Sequence, residues 1–258
     1  MTAQNKPLIS VQNISKHYIM KKNIFSKSVI IKAADKVSFD IYKGESLGLI
    51  GESGCGKTTI ASIILNLLKA DSGKVFYKDI LLSELEEGRM RELRGELQII
   101  FQHSKGALDP KMTVYELLKE PLLIHNIVKG AEADIEVSRL MNLVEFSESD
   151  KYKYPYQMSG GQRQRIGIAR AISVRPNFII CDEPVSALDV SVQGQILNLL
   201  SNLKKEFNLT YLFISHDLKV VKHVCSRIAV MYKGKIIESG DRDKILLSPG
   251  EEYTKRLV

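Results

Sequence analysis

Residues Gly51-Glu52-Ser53-Gly54-Cys55-Gly56-Lys57-Thr58 place glycines at fixed intervals ahead of a lysine and a hydroxyl, a GxxxxGK[ST] run. The run lies between SLGLI, which reads as a strand, and TIASIILNLL, which reads as a helix, and this is the context in which such a run binds phosphate. Glycines let backbone N–H groups turn inward around phosphate oxygens, and the start of the helix adds its dipole. Lys57 is then placed to reach β- and γ-phosphates, and Thr58 offers a hydroxyl to Mg2+.

Two further constellations follow. Phe178-Ile179-Ile180-Cys181-Asp182-Glu183-Pro184 is an apolar strand ending in two acids. Downstream of a phosphate loop, Asp182 is suited to hold Mg2+ through its hydration shell, and Glu183 to polarise an attacking water. Met158-Ser159-Gly160-Gly161-Gln162-Arg163-Gln164-Arg165 opens a helix, and Ser159 lies 23 residues before Asp182. A serine and two glycines at a helix start form a second anion site. One chain does not need two phosphate cradles for one nucleotide.

At this point the sequence resembles the ATP-binding subunits of ABC transporters: its SGGQ, Ser159 to Gln162, is similar to their signature motif, with Met158 where Leu is usual. The resemblance implies a head-to-tail dimer in which each signature loop caps the γ-phosphate held by the partner's phosphate loop. Tyr18 is similar to the aromatic that stacks on adenine. Gln102 resembles the glutamine that contacts Mg2+ and the water, Ser186-Ala187-Leu188-Asp189 the loop at the dimer interface, and His216 the histidine that contacts γ-phosphate. The implied catalytic residues are Glu183, His216, Gln102 and Lys57. The implied nucleotide-binding residues are Tyr18, Gly51, Ser53, Gly54, Cys55, Gly56, Lys57, Thr58, Thr59, Ser159, Gly160, Gly161, Gln162 and Asp189. Thr58, Gln102 and Asp182 are the implied metal ligands, and the implied cofactors are ATP and Mg2+.

The strings ALDPKMTV, CDEPVSALDVSVQGQILNLL and FISHDLKVV resemble the peptide/nickel importer branch of that family, and PGEEYTKRL resembles the point where longer members begin a C-terminal extension. His103 to Leu108 departs from the commoner acidic and aromatic version. The implied function is ATP hydrolysis that powers uptake of oligopeptides or dipeptides; a nickel or metal-chelate importer and a soluble, non-transport ABC ATPase are the alternatives. The implied partners are membrane subunits, a second ATPase subunit (a paralogue or a second copy) and, indirectly, an extracellular solute-binding protein, with no nucleic acid. The implied location is peripheral, on the cytoplasmic face of the membrane. A groove for a membrane subunit's coupling helix is expected between Gln102 and Tyr115, with Leu108, Met112 and Tyr115 as its apolar candidates.

The elements that must position these residues read as an α/β protein. LISVQNIS, VIIKAADKVSFDI and ESLGLIG have strand character, joined by a polar, basic connection over Lys21 to Ser28. TTIASIILNLLK has helical spacing and is expected to end at Asp71-Ser72-Gly73. ELQIIF, NFIICDE and TYLFIS read as strands, VQGQILNLLSNLKKEF as a helix, and RIAVMYKGKIIESG as a hairpin turning at Lys233-Gly234. The stretch from about 111 to 173 is helical in pattern. The expected fold is a P-loop NTPase core of ABC ATPase type with an N-terminal antiparallel β region and an inserted helical subdomain. Residues 1–258 form a single ABC ATPase domain in that reading, with the core at about 1–107 and 174–258 and the helical subdomain at about 108–173.

Composition agrees with a globular chain: 258 residues, 44% hydrophobic and 26% charged, with 37 basic against 30 acidic residues for a formal charge of +7. Gly 17, Pro 7 and Cys 3 are too few for collagen, disorder or a disulfide scaffold. Three cysteines without CxxC spacing fit a reducing compartment. Basic residues are spread along the chain without the footprint of nucleic-acid binding. The longest apolar candidate, Ile60 to Leu68, is short of the roughly 18 to 20 residues a membrane span needs, and the start MTAQNKPLIS does not read as a signal peptide.

Overall fold

The computed structural model describes residues 6–20, 29–102 and 104–258. In chain order the elements are β1 (Ile9–Met20), β2 (Val29–Ile41), β3 (Ser46–Ile50), α1 (Lys57–Ile64), β4 (Ser72–Tyr77), β5 (Ile80–Leu81), α2 (Glu87–Leu93), β6 (Leu97–Ile100), α3 (Ser104–Ala107) and α4 (Val114–Ile124). There follow α5 (Glu132–Leu143), α6 (Gly160–Ser173), β7 (Phe178–Asp182), α7 (Val190–Phe207), β8 (Thr210–Ser215), α8 (Leu218–Val224), β9 (Arg227–Tyr232), β10 (Lys235–Asp241), α9 (Arg242–Leu247) and α10 (Glu252–Leu257). Two compact units divide these elements: one takes in the chain up to Met90 together with Thr210–Val258, the other Arg91–Leu209.

The first unit holds the expected antiparallel β region, with strand order β2-β1-β4-β5. Ile9 pairs with Ile41 at one end of the β1–β2 ribbon and Met20 with Val29 at the other. Between Lys16 and His17 the partner on β2 steps from Ala34 to Lys32, so Ala33 is an extra residue in a bulge. The same unit carries parallel strands: β3 lies between β8 and β9, and β10 turns back antiparallel on β9. All five residues of β3 are buried, which is why SLGLI reads as an unbroken apolar run rather than an alternating one. At Gly48 a Cβ would sit 2.7 Å from Val221 Cγ1, so the missing side chain lets α8 pack directly on the strand.

In the second unit β6 runs parallel to β7, from Leu97 opposite Phe178 to Ile100 opposite Cys181. Helices α4, α5 and α6 pack on one another. They bury Val114, Leu117, Leu118 and Leu122 of α4, Val137 and Leu140 of α5, and Ile166, Ile168 and Ile172 of α6. Thr113 starts α4 with a reciprocal capping box to Glu116.

The structure differs from expectation at several boundaries. α1 ends at Ile64 rather than at Asp71-Ser72-Gly73, because Asn66 takes a left-handed backbone (φ 53°) and the Leu67 and Leu68 N–H groups both return to the Ser62 carbonyl. Ser72 and Gly73 instead begin β4. β1 runs on through His17 and Tyr18, and the short β4–β5 hairpin had no counterpart in the sequence reading. The connection expected over Lys21 to Ser28 lies outside the described residues. Leu49, at the centre of β3 with no exposed surface, should be costly to truncate. Leu49→Ala is expected to lose about 2–5 kcal/mol in urea unfolding, and a loss under about 1 kcal/mol would show that β3 is not the core strand its burial indicates.

Candidate functional site

The phosphate loop belongs to the first unit and follows the buried strand β3. Its closure depends on two glycines with positive φ. Gly51 (φ 155°) ends β3 where a Cβ would lie 2.1 Å from the Met231 carbonyl oxygen, and at Gly56 (φ 113°) a Cβ would lie 1.9 Å from the Ala33 carbonyl oxygen. No side chain fits in either place, so the loop packs backbone to backbone against β9 and against the bulge in β2. The turn between β9 and β10 adds a third support, since the Gly234 N–H donates to the Cys55 carbonyl at 3.1 Å. A Cβ on Gly54 would meet nothing within 4 Å, so the loop is open on that side. Ser53 and Thr58 are exposed there, and Thr59 is half-buried.

Lys57 opens α1 and is only 5% exposed. Its ammonium donates to the carbonyls of Gly51 at 2.7 Å and Glu52 at 2.9 Å, and it lies 3.8 Å from the Cys55 thiol. These partners are neutral, whereas a buried cation is stabilised most by an anion. Gly56 provides no side-chain cap to α1, so the first N–H groups of the helix add to the same positive locus. Burial pushes the Cys55 thiol above its ordinary value, and the Lys57 charge opposes that rise without cancelling it.

Two more residues of this unit belong to the expected set. Tyr18 is 39% exposed on β1 and pairs across the ribbon with Ile31, itself 43% exposed. Paired residues share a face, so the two form an apolar platform. His216 is exposed immediately after β8, between Ser215, whose hydroxyl donates to the Asp217 carbonyl, and Asp217, which caps α8.

The second unit brings Gln102, Asp182 and Glu183 together. Asp182 ends β7 and is 8% exposed. Glu183 follows in a left-handed backbone conformation (φ 47°) directly before Pro184, a position where proline pushes its predecessor towards extended backbone. Ser186 restrains it: both the N–H and the hydroxyl of Ser186 donate to the Glu183 carbonyl, at 3.3 Å and 3.2 Å. The Gln102 amide donates to a Glu183 carboxylate oxygen at 3.0 Å. The role of Ser186 as a restraint on Glu183 is absent from the motif itself, because the motif gives the order of residues and not the turn that joins them.

In the same unit Ser159 caps α6. Its hydroxyl accepts from the Gln162 N–H at 3.2 Å while the Gln162 side chain accepts from the Ser159 N–H at 3.0 Å. Gly160 approaches Leu188, and at Gly161 a Cβ would lie 2.5 Å from Val192 Cγ1, so α6 and α7 are in close contact at their starts. Asp189 caps α7 by accepting from the Val192 N–H at 3.0 Å. The Ser191 hydroxyl and the Val192 N–H hold its carboxyl below the usual range. Among the described residues no cluster of three or more His, Cys, Asp or Glu side chains is arranged to hold a metal ion.

A cavity of about 240 Å³ in this unit is lined by Ile100, Phe101, Leu108, Gln164, Gly167 and Arg170 among others. Of the three apolar residues expected in a coupling groove, only Leu108 lines it. Tyr115 is engaged elsewhere: its hydroxyl donates to Asp134 on α5 and accepts from Lys119.

A family model described as ABC transporter matches residues 34–186. The oligopeptide transport ATP-binding protein AppF of Bacillus subtilis is 42% identical over all of this chain and 79% of its own length. OppF of Streptococcus mutans, an oligopeptide transport ATP-binding protein, is 44% identical over all of this chain and 82% of its own length. The glutathione import ATP-binding protein GsiA of Escherichia coli K12 is 40% identical, and the match spans 41% of that longer protein. Among solved structures, the ATP-binding cassette MJ0796, a dimer bound to ADP and phosphate, superposes with a TM-score of 0.79 at 29% identity, over 91% of this chain and 98% of that one.

The buried thiol inside the loop reports on what the loop holds. Alkylation of Cys55, followed by peptide mass spectrometry, is expected to have a pH midpoint above the roughly 8.5 of an ordinary thiol, and tripolyphosphate should slow it further. Equal rates with and without tripolyphosphate would place the thiol outside the anion site.

Proposed function

The chain belongs to the ABC transporter family, whose cassettes are ATPases, and from that premise we propose that it hydrolyses ATP to power a membrane importer of oligopeptides or dipeptides. The observation that carries this reading is the full-length likeness, at 42% and 44% identity, to chains named for oligopeptide transport. Glutathione, named for a third relative, is itself a small peptide. These names favour peptides over nickel-type chelates and over a soluble role without a transporter.

The residues present fit ATP. A deeply buried ammonium with neutral partners, an open side at Gly54 and an uncapped helix start form an anion cradle, with the Tyr18 platform available to a base. In the proposed reaction Lys57 and the loop N–H groups of Ser53, Gly54, Cys55, Gly56, Thr58 and Thr59 hold the β- and γ-phosphates, while Tyr18 stacks on adenine. Glu183 takes the proton of the attacking water as its oxygen bonds to γ-phosphorus and the bond to the bridging oxygen breaks, leaving ADP and phosphate. His216 contacts the γ-phosphate and Gln102 orients the water. Mg2+, when bound, would neutralise phosphate charge. The oxygen donors Thr58, Gln102 and Asp182 suit it, because this ion prefers a few protein oxygens alongside phosphates and water.

We further propose a head-to-tail dimer with a second ATPase subunit, in which Ser159, Gly160, Gly161 and Gln162 cap the partner's γ-phosphate and Asp189 lies at the interface. Closure of that dimer moves a helical subdomain, about 108–173, against membrane subunits, and the cavity beside Leu108 is the proposed seat of their coupling helix. The solute-binding protein acts through those membrane subunits. Attachment to the cytoplasmic face runs, in this proposal, through those subunits; among the described residues no helix is long and apolar enough to cross a membrane.

The test uses Glu183→Gln, which keeps the phosphate cradle and removes the base. It should bind ATP within a few-fold of the parent and lose about 10²–10⁴-fold in turnover. Purified through a tag from detergent-solubilised membranes with ATP present, it should bring down two membrane subunits and a second ATPase. Turnover near the parental rate would refute the base assignment, and recovery of no membrane protein would refute the transporter reading.

A further inference from the structure

We propose that Tyr253, on α10, is a positioning residue for Lys57, acting through the peptide group that joins Gly51 to Glu52. The inference rests on the phosphate loop being the ATP site. The Glu52 N–H donates to the Tyr253 hydroxyl oxygen at 3.1 Å, and the carbonyl at the other end of the same peptide group, Gly51 O, accepts from the Lys57 ammonium at 2.7 Å. A peptide group is planar and trans, so its N–H and C=O point in opposite directions and turn together. Fixing the Glu52 N–H therefore fixes the direction from which Gly51 O holds the ammonium, and the two bonds polarise one another.

The phenol is itself held in place. Its ring lies against Tyr232, with centroids 4.2 Å apart and planes inclined by 33°. Tyr232 follows Met231, whose carbonyl closes on Gly51, so the loop is supported at two consecutive residues by one patch. The chain entering α10 is tied to β10, because the Glu238 carboxylate accepts from the Gly250 N–H at 2.8 Å and the Glu251 N–H at 3.2 Å. Glu238, Tyr253 and the loop thus form one connected support, drawn from three separate stretches of the sequence.

Tyr253→Phe keeps the ring and removes only the hydroxyl. We expect the Kd for ATP, measured by titration calorimetry, to rise about two- to twelvefold, the range that corresponds to a net hydrogen bond of about 0.5–1.5 kcal/mol. The Kd for tripolyphosphate should rise by the same factor, since the effect is on the phosphates and not on the base. In a Lys57→Ala background the same substitution should have no further effect on ATP binding. An unchanged ATP Kd in Tyr253→Phe, with or without a lower Tm, overturns the proposal, as does an equal effect in both backgrounds. If Lys57→Ala alone binds ATP as tightly as the parent, the phosphate-site reading fails instead.

Discussion

A buried ammonium is the constraint on which the first unit is organised. Removing a charge from water is costly unless partners replace the water, and Lys57 has found two carbonyls of its own loop. Those carbonyls are aimed at it only because the loop makes its tight turn, and the turn exists only because neither Gly51 nor Gly56 has a side chain to collide with Met231 or Ala33. The bulge in β2 brings Ala33 O to that contact. A change in the register of a peripheral ribbon would thus be felt at the lysine.

The second unit solves a different problem, how to hold a carboxylate in a fixed place at the end of a strand. Glu183 occupies a backbone region that costs energy for a residue with a side chain, and the two bonds from Ser186 offset part of that cost. Ser159 and Asp189 show the same economy: each is used as a helix cap in this structure and is also a residue for which the reading above proposes a nucleotide contact. A polar group already committed to a helix start is held rigid, which is what a contact to phosphate requires.

How far the sequence disclosed this depends on the distance over which each feature is encoded. The phosphate loop, the Asp182-Glu183 pair and the Ser159 turn are each written within a few residues, and so were legible with their strand and helix contexts. The parallel strands β3, β7 and β8 were legible because their burial makes them continuous apolar runs. The end of α1 was not, because the apolar spacing of Ile60 to Leu68 continues past Asn66, and a single asparagine, though a type that tolerates the left-handed turn, is a weaker signal than that period. Tyr253, separated from Glu52 by 201 positions, and Ala33, opposite Gly56, act through contacts that only the folded chain creates. The coupling-groove expectation placed Tyr115 by its neighbourhood in the chain, and its hydroxyl turned out to be drawn to the charges of Lys119 and Asp134.

The contact between α6 and α7 at Gly161 and Val192 has a consequence for descent. With only 2.5 Å between a would-be Cβ and Val192 Cγ1, the two positions share one volume, and neither helix start is free to retreat while Ser159 and Asp189 cap them. A lineage that acquires alanine at 161 must first, or at once, accept a smaller residue at 192. Shrinking residue 192 first leaves a hole but no collision, whereas alanine at 161 first collides, so stepwise mutation has one passable route between these states, and the glycine is the last of the pair to be replaced.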